Sequence, residues 1–380
     1  MIITNTLLFL ISFATIPATA QSNQKPLLAS SNHNKMADYD EDTTPSSPSR
    51  RTPVLDPTDN STIIGHHYPG FDYTGERICP LQTLDIWFPV GAAQEAPWLV
   101  YIHGGAWRDP AIDSSSFNAS ATKILSTLFQ QPLEQRKKKL GGIASINYRL
   151  SPYPNHPTNP SDDPTDDSRR AKHPDHIADV LTALDHLHKF YLMQSYVLVG
   201  HSCGATLALQ ACMDPVRWKD LEESVSIGYR GVYEVAKPKT VVGLNGLYDL
   251  AGFINNPPKG YERLREAYRE FVTGAFGSDE KVWREACPAS AERWLGQWKL
   301  GHWQGKRKVV LVQSLEDSLV PVEQTEGMAA YLEKENEQLD EDNKIEVAVL
   351  MEKKGGDHDE IWQRGDRLGE ILVAVLDWEI

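Results

Sequence analysis

From Leu81 onward, short runs of β-branched and apolar residues alternate with longer segments whose apolar residues recur at helical spacing. This alternation is typical of a mainly parallel sheet with helices on both faces, because parallel neighbours must be joined by a crossover segment. We therefore predict an α/β fold. The predicted strands are residues 84–88, 98–103, 143–150, 196–201, 240–244, 308–314 and 345–351. The predicted helices are residues 114–129, 175–191, 203–213, 323–335 and 360–376.

Two segments interrupt this rhythm. Residues 153–174 are dense in Pro, Asp, Asn and Thr, which predicts a surface insertion with solvated His156 and His173. Residues 251–306 are too apolar for a linker and predict a helical cap over the carboxyl edge of the sheet, where open α/β sheets bind ligands. A helical layer packed only for stability is an equally good interpretation. The segment contains four tryptophans, Trp283, Trp294, Trp298 and Trp303.

The first 57 residues are predicted to lie outside the folded domain, which we place at residues 58–380. Residues 21–57 are rich in Ser, Thr, Pro and Asn and poor in aromatics, a composition typical of disorder. Residues 1–20 contain an apolar stretch and an Ala-Thr-Ala sequence, as a secretory signal peptide does, but no Lys or Arg precedes the stretch. The stretch is too short for a comfortable membrane span. Export and a cytoplasmic location are both compatible with this segment.

The formal net charge of −14 argues against a nucleic acid or an anionic membrane as partner, since like charges repel at long range. The four cysteines show no C-x-x-C spacing, so neither a zinc ribbon nor a disulfide scaffold is indicated. No Gly-rich phosphate loop of the G-x-G-x-x-G or Walker type is present. We therefore predict no nucleic-acid partner, no stable membrane span and no cofactor.

Possible metal ligands crowd the predicted helix at residues 175–191 and the turn before it. They are His173, His176, Asp179, His186 and His188. Their spacing matches neither H-E-x-x-H nor a Cys/His set, so we predict a solvated helix surface and no metal site.

Two strand-end loops point to acyl-transfer chemistry. Residues 103–107 (HGGAW) end one predicted strand, and residues 200–204 (GHSCG) end another. The second loop has the G-x-S-x-G form, in which glycines on both sides of the serine permit a strained turn that lifts the hydroxyl above the sheet. We therefore assign Ser202 as the nucleophile. Either pattern alone is weak evidence for this chemistry, but the two patterns in this order along the chain are much stronger evidence.

Backbone amides in these loops are predicted to hold a developing oxyanion. A segment with paired glycines can aim its N–H groups at the negative oxygen, which suits Gly105 and Ala106. Cys203, at the start of the next helix, is predicted to supply a third N–H group. His103 is expected to hold the glycine loop by hydrogen bonding, and Trp107 either lines a pocket or packs.

A serine nucleophile needs an imidazole to take its proton and a carboxylate to orient that imidazole. In hydrolases with this type of serine turn, the acid and then the histidine follow the serine along the chain. Only His302 and His358 follow Ser202. His302 lies in the tryptophan-rich segment, whereas His358 follows the last predicted strand, so we assign His358 as the base.

The acid is predicted to be Asp317, which follows the strand at residues 308–314. Asp249, at the end of the preceding strand, is its competitor, but we expect it to cap the helix that follows. Glu316 is a weaker candidate because of its adjacent register.

With both loops identified, the chain resembles the serine-dependent α/β-hydrolases of the hormone-sensitive-lipase type. Within that group it is most similar to the fungal kynurenine formamidases, or arylformamidases. The likeness is carried by residues 103–110 (HGGAWRDP), 147–152 (NYRLSP) and 200–205 (GHSCGA). The His-Gly-Gly-x-Trp form, with Gly104 and Trp107, is the most specific part. Residues 153–174 and 333–344 and the N-terminal tail are unmatched.

The resemblance implies an α/β-hydrolase fold and a cytosolic enzyme that hydrolyses N-formyl-L-kynurenine to L-kynurenine and formate. Ser202 would attack the formyl carbon, and His358 would protonate the departing aromatic amine. Trp107 and Tyr148 are candidate pocket walls. The alternatives are a carboxylesterase of the same fold and a non-catalytic binder, as in plant gibberellin receptors, which resemble these hydrolases but lack the catalytic histidine. A homodimer is compatible with the sequence.

Overall fold

A computed structural model describes residues 51–75, 79–161, 163–213, 238–289 and 307–378 of the chain. Within these ranges, nine strands form one sheet in the order β1-β2-β3-β5-β4-β6-β7-β8-β9. The strands are β1 (Thr52–Leu55), β2 (Ile63–Asp72), β3 (Thr83–Pro89), β4 (Trp98–Ile102), β5 (Gly142–Ile146), β6 (Tyr196–His201), β7 (Thr240–Leu244), β8 (Arg307–Ser314) and β9 (Ile345–Glu352).

Ten α-helices are found in the same ranges. They are α1 (Asn118–Phe129), α2 (Leu133–Lys139), α3 (Asp175–Tyr191), α4 (Cys203–Ala211), α5 (Leu250–Asn255), α6 (Arg265–Phe276), α7 (Glu280–Ala286), α8 (Val322–Asn336), α9 (Glu360–Arg364) and α10 (Asp366–Asp377). None of these described helices combines the length and the apolar character that crossing a membrane requires.

The sheet is parallel in its larger part. β4 to β9 run parallel to one another, while β1, β2 and β3 are antiparallel to their neighbours. β4, β5, β6 and β7 are buried along their whole length, as expected of parallel strands covered on both faces. The predicted α/β fold with a mainly parallel sheet is confirmed.

Neighbouring residues of the central strands face two separate apolar layers. Val100 and Leu198 pack in the layer that contains α3 and α4, whereas Leu99 and Val199 pack in the layer that contains α1 and α10. This division follows from the two-residue period of a strand. It leaves the carboxyl ends of the parallel strands as the place where loops of different strands meet.

The two N-terminal strands are not among the predicted ones. β1 falls inside residues 21–57, so the predicted polar tail is wrong for residues 52–55. β1 contains Pro53, and β2 contains Pro69 and Gly70 beside an irregularity in its pairing with β3. Proline and a bulge break the alternation by which a strand is recognised in a sequence.

Three predicted elements differ from the structure at glycines or polar residues. The strand predicted at residues 143–150 ends at Ile146, and the helix predicted at 114–129 begins with a 3₁₀ turn, Ser114–Phe117, before α1. The helix predicted at 360–376 is two helices, because Gly365 lies in the left-handed region with φ 72°. A left-handed residue ends the regular hydrogen-bond ladder of a helix.

Residues 153–174 do not leave His156 in solvent, as we had predicted. The His156 side chain is mostly buried, and its Nε2 lies 3.3 Å from Oδ1 of Asp109. Asp109 is the second residue after the HGGAW segment. This insertion therefore contacts the loop after β4, and the Asp109 carboxylate takes the place of the expected water beside His156.

The predicted solvated surface of α3 is also wrong at two positions. His176 and Asp179 are each only 1% exposed. His176 Nε2 lies 3.0 Å from Ser151 Oγ, and the Asp179 carboxylate pairs with Arg149. Each of these buried polar side chains has a polar partner that offsets the cost of its burial. We therefore assign both residues a structural role.

The first part of the predicted cap, residues 251–289, contributes α6, α7 and most of α5. Phe271 and Phe276 of α6 lie 6.1 and 4.9 Å from Trp107, measured between ring centroids. This segment thus covers the loop after β4, the position expected of a cap. His302, Trp294, Trp298 and Trp303 lie outside the described residues.

Candidate active site

Ser202 stands in a sharp turn between β6 and α4. Its backbone angles are φ 54° and ψ −120°, a conformation strained for any residue other than glycine. A Cβ on Gly200 would lie 2.1 Å from the carbonyl oxygen of Gly204, and one on Gly204 would lie 2.3 Å from that of Ile102. The turn therefore needs both glycines of the motif, and it places Ser202 at the N-terminus of α4.

Asp317 and His358 are brought together by neighbouring strands. β8 and β9 are paired, and the loops that follow them carry the acid and the imidazole. His358 Nδ1 lies 2.8 Å from Asp317 Oδ2. Asp317 Oδ1 accepts the amide N–H groups of Leu319 and Val320, each at 2.8 Å. The carboxylate is thus held by its own loop while it faces the imidazole.

The two competing acids do not contact His358. Asp249 caps α5, accepting the amide of Gly252 at 2.9 Å, so its predicted capping role is confirmed. Glu316 is exposed to solvent. Asp317 is only 4% exposed and His358 7%, so their hydrogen bond lies in a region from which water is largely excluded.

The charges around His358 favour its protonated form. Burial alone would lower the pKa of His358, but the hydrogen bond and charge of Asp317 outweigh it, with smaller contributions from Asp359 and Asp357. The net effect raises the pKa of His358 above its usual value. Such a residue can accept a proton and then hold the charge beside a carboxylate.

The main chain of His358 is fixed by two side chains that the sequence analysis did not assign. His201 Nε2 and Asn245 Nδ2 donate to the His358 carbonyl oxygen at 3.0 and 3.1 Å. Asn245 Oδ1 also accepts the amide of Ser314 at 2.8 Å. Asn245 therefore links three strand-end loops. Its signal in the sequence is a polar residue directly after an apolar strand, in an Asn-Gly pair that tolerates positive φ.

The loop after β4 holds three successive residues in the left-handed region. Gly105, Ala106 and Trp107 have φ values of 91°, 51° and 59°. Only the first is a glycine, so the other two positions store strain. Within the described residues no hydrogen bond is found for the amide of Gly105, whereas the amides of Ala106 and Cys203 lie near the Cys203 sulfur and lower the pKa of its thiol by hydrogen bonding. These are the three donors predicted for an oxyanion.

Side chains beneath this loop hold it in place. The Trp107 amide donates to Cys203 Sγ at 3.3 Å, and Tyr148 Oη lies 3.1 Å from the carbonyl oxygens of both His103 and Gly104. The His103 and Tyr148 rings stack at 4.4 Å. His103 Nδ1 also donates to the Gly104 carbonyl at 2.9 Å, in line with the role predicted for it.

The candidate pocket walls differ in what they contact. Trp107 is fully buried against α6, whereas the hydroxyl of Tyr148 is used by the glycine loop, so Tyr148 is a loop anchor. Burial raises the pKa of the Cys203 thiol to about 11, which keeps it protonated at neutral pH. The neutral Cys203 sulfur is therefore available as an acceptor for the Trp107 amide of the loop.

One group of possible metal ligands occurs within the described ranges. His201, His358 and Asp359 offer ligand atoms that lie within 4.8 Å of one another. His201 already donates one ring nitrogen to a carbonyl, and His358 shares one with Asp317. The group thus overlaps the acid–imidazole pair, and we assign no metal to it.

The fold and the arrangement at its carboxyl edge are those of an α/β hydrolase. The model of the alpha/beta hydrolase family matches residues 99–367, and the chain belongs to this family. The solved structure of esterase B from Lactobacillus rhamnosis has a similar fold, with a TM-score of 0.55 at 15% identity. That match covers 83% of this chain and 87% of the esterase.

Two curated fungal proteins place the chain more narrowly. It is 35% identical to a kynurenine formamidase-like hydrolase of Fusarium equiseti, over 78% of this chain and 90% of the relative. It is 31% identical to a kynurenine formamidase of Aspergillus versicolor, over 70% of this chain and 84% of the relative. Within the α/β hydrolases, the chain therefore falls among the kynurenine formamidases and formamidase-like hydrolases, as its resemblance implied.

Proposed function

We propose that this protein hydrolyses N-formyl-L-kynurenine to L-kynurenine and formate, with Ser202, His358 and Asp317 as a catalytic triad. The observation that carries the proposal is the buried hydrogen bond between His358 Nδ1 and Asp317, in a chain that also holds Ser202 in a strained strand-to-helix turn. The formamide substrate is supported by the two fungal relatives, whose names include kynurenine formamidase.

In the first half of the reaction, Ser202 Oγ attacks the formyl carbon while the second ring nitrogen of His358 takes its proton. The carbonyl oxygen becomes negative and is held by the amides of Gly105, Ala106 and Cys203. Each such donor contributes about 3 kcal/mol of transition-state stabilisation. Collapse of this intermediate expels the aromatic amine, which takes the proton from His358.

In the second half, the same imidazole activates water, which attacks the formyl-serine and releases formate. The formyl group is the smallest acyl group, and the burial of Ser202 to 5% exposure suits a small acyl group. No step needs a metal or another cofactor, because a water molecule and these side chains balance the reaction.

The pH dependence of kcat/KM tests the role of His358. The base must be neutral to accept the serine proton, so activity should rise with pH as His358 loses its proton. Since the surrounding carboxylates raise the pKa of His358, we expect the midpoint of this rise above the ordinary histidine value of about 6.5. A midpoint below that value would contradict the assigned environment of the base.

Substrate choice is tested by two assays on the same purified protein. Formate release from N-formyl-L-kynurenine is compared with hydrolysis of a short p-nitrophenyl ester, and we expect the larger kcat/KM for the formamide. Turnover of the ester alone would identify a carboxylesterase with the same triad. Turnover of neither compound, with the fold intact, would favour a non-catalytic binder.

We also propose a cytoplasmic location, which is supported by the resemblance of the chain to the kynurenine formamidases. Cell fractionation, with mass spectrometry of the mature N-terminus, tests this location. Cleavage after residue 20 and recovery from the medium would overturn it.

A further inference from the structure

The loop that carries Asp317 is held from the cap by three side chains. They come from one short stretch, residues 261–268, and donate to three successive carbonyl oxygens of the acid loop. The bonds run from Tyr261 Oη to Asp317 O at 2.6 Å, from Arg263 Nη2 to Ser318 O at 2.9 Å, and from Tyr268 Oη to Leu319 O at 2.9 Å.

The backbone amide and the hydroxyl of Ser318, in the same loop, are hydrogen-bonded to the loop that carries His358. Asp357 Oδ1 accepts the amide of Ser318 at 2.8 Å and the amide of His358 at 2.7 Å. Its Oδ2 accepts the Ser318 hydroxyl at 3.0 Å. One carboxylate therefore joins the two loops that must present the acid and the imidazole to each other.

These bonds matter for the carboxylate because Asp317 is oriented by its own main chain. Its Oδ1 is fixed by the amides of Leu319 and Val320, so any shift of the loop also shifts Oδ2 relative to His358. A hydrogen bond of about 2.8 Å changes steeply with small displacements and angles. The hydrogen bonds from the cap to these carbonyl oxygens therefore fix the position of the loop, and through it the geometry of the hydrogen bond between Asp317 and His358.

The three donors are not equivalent. Tyr268 is only 5% exposed, Tyr261 is half-buried and Arg263 lies on the surface. Water competes least for a buried hydroxyl, so the two tyrosines should hold the loop more firmly than the guanidinium. Each tyrosine can lose its hydroxyl alone by substitution with phenylalanine.

We propose that Tyr261 and Tyr268 are positioning residues for the catalytic acid, so that the cap segment sets the alignment of Asp317 with His358. The inference rests on the proposed function for the role of that pair. It also makes this part of the cap a fixed support of the catalytic groups.

The pKa of the His358 imidazole depends on how well Asp317 is aligned with it. The ionisable groups that face His358 are Asp317 from the loop after β8, Asp357 and Asp359 from its own loop, and His201 from the end of β6. Loss of a tyrosine hydroxyl leaves all of these side chains in the molecule and loosens only the acid loop. The pKa of His358 should then fall, because the hydrogen bond and charge of Asp317 act on it less strongly.

The experiment compares Tyr261→Phe, Tyr268→Phe and the double variant with the wild type. Tyr248→Phe is the matched control, because the buried Tyr248 hydroxyl has no hydrogen-bond partner in the described residues. Two readouts are used: kcat and KM for N-formyl-L-kynurenine, and the NMR titration of the His358 imidazole. We expect kcat to fall roughly three- to tenfold for each single variant, the range set by one hydrogen bond. KM should stay within about twofold, since only alignment is lost.

Wild-type kcat and an unchanged pKa of His358 in the folded double variant would overturn the proposal. A rise in KM alone would also overturn it, because the tyrosines would then bind substrate. If one phenylalanine variant does not fold, the other is tested alone with both readouts, and unchanged values there count against the proposal. If the wild type hydrolyses no substrate while the pKa of His358 still falls in the variants, the proposed function fails and the positioning role stands.

Discussion

Ser202→Ala should reduce kcat for formate release by about a factor of 10⁶, because the reaction then has no nucleophile and the imidazole has no partner. The substitution keeps a Cβ, so it adds no new strain at φ 54°. Formate release in single-turnover and steady-state assays measures the effect, and circular dichroism checks that the fold is retained.

Ser126→Ala is the matched control for this serine. Ser126 is also buried, but its hydroxyl donates to Asp56 at 3.1 Å, outside the candidate site. Its loss should cost stability and leave kcat unchanged. Residual activity of Ser202→Ala comparable with that of Ser126→Ala would show that another group attacks the formyl carbon.

Asp317→Asn should lower kcat by about 10⁴. An amide is neutral and can offer its NH₂ group to the imidazole, which favours the wrong tautomer and removes the charge that stabilises the imidazolium. The same change should lower the pKa of His358, since the charge of Asp317 raises it. Steady-state kinetics across pH measure both effects.

Asp249→Asn separates the acid from its competitor. Asparagine caps a helix about as well as aspartate, so the bond to the Gly252 amide and the activity should both survive. Near-normal rates for Asp317→Asn together with a large loss for Asp249→Asn would mean that the acid is wrongly assigned.

The sequence predicts the parallel part of the fold well, because its strands are short apolar runs that stand out between helical segments. β6 and β7 have the predicted bounds. β1 and β2 escape prediction because their strand character depends on the pairing of β1 with β2 and of β2 with β3, and not on their composition. The burial of His176 and Asp179 escapes it for a similar reason, since their partners lie elsewhere in the chain.

The candidate triad could be assigned from chain order and strand ends, and the structure brings Asp317 and His358 together as expected. The residues that align them could not be predicted. Asn245 and Tyr261 donate to backbone carbonyl oxygens of other loops. Every residue has such a carbonyl, so the sequence does not indicate which one is bonded. Only the three-dimensional arrangement shows which carbonyl each one reaches.

The proposed nucleophile and the proposed base follow strands that differ in their number of neighbours in the sheet. β6 lies between β4 and β7 inside the sheet, whereas β9, which leads to His358, pairs only with β8 at one edge of the described sheet. Edge elements open at a lower free energy than the interior. Fraying of β9 would carry the imidazole away while the serine turn and the core stay folded. On heating, we therefore expect activity to be lost at a lower temperature than the one at which the core of the sheet unfolds.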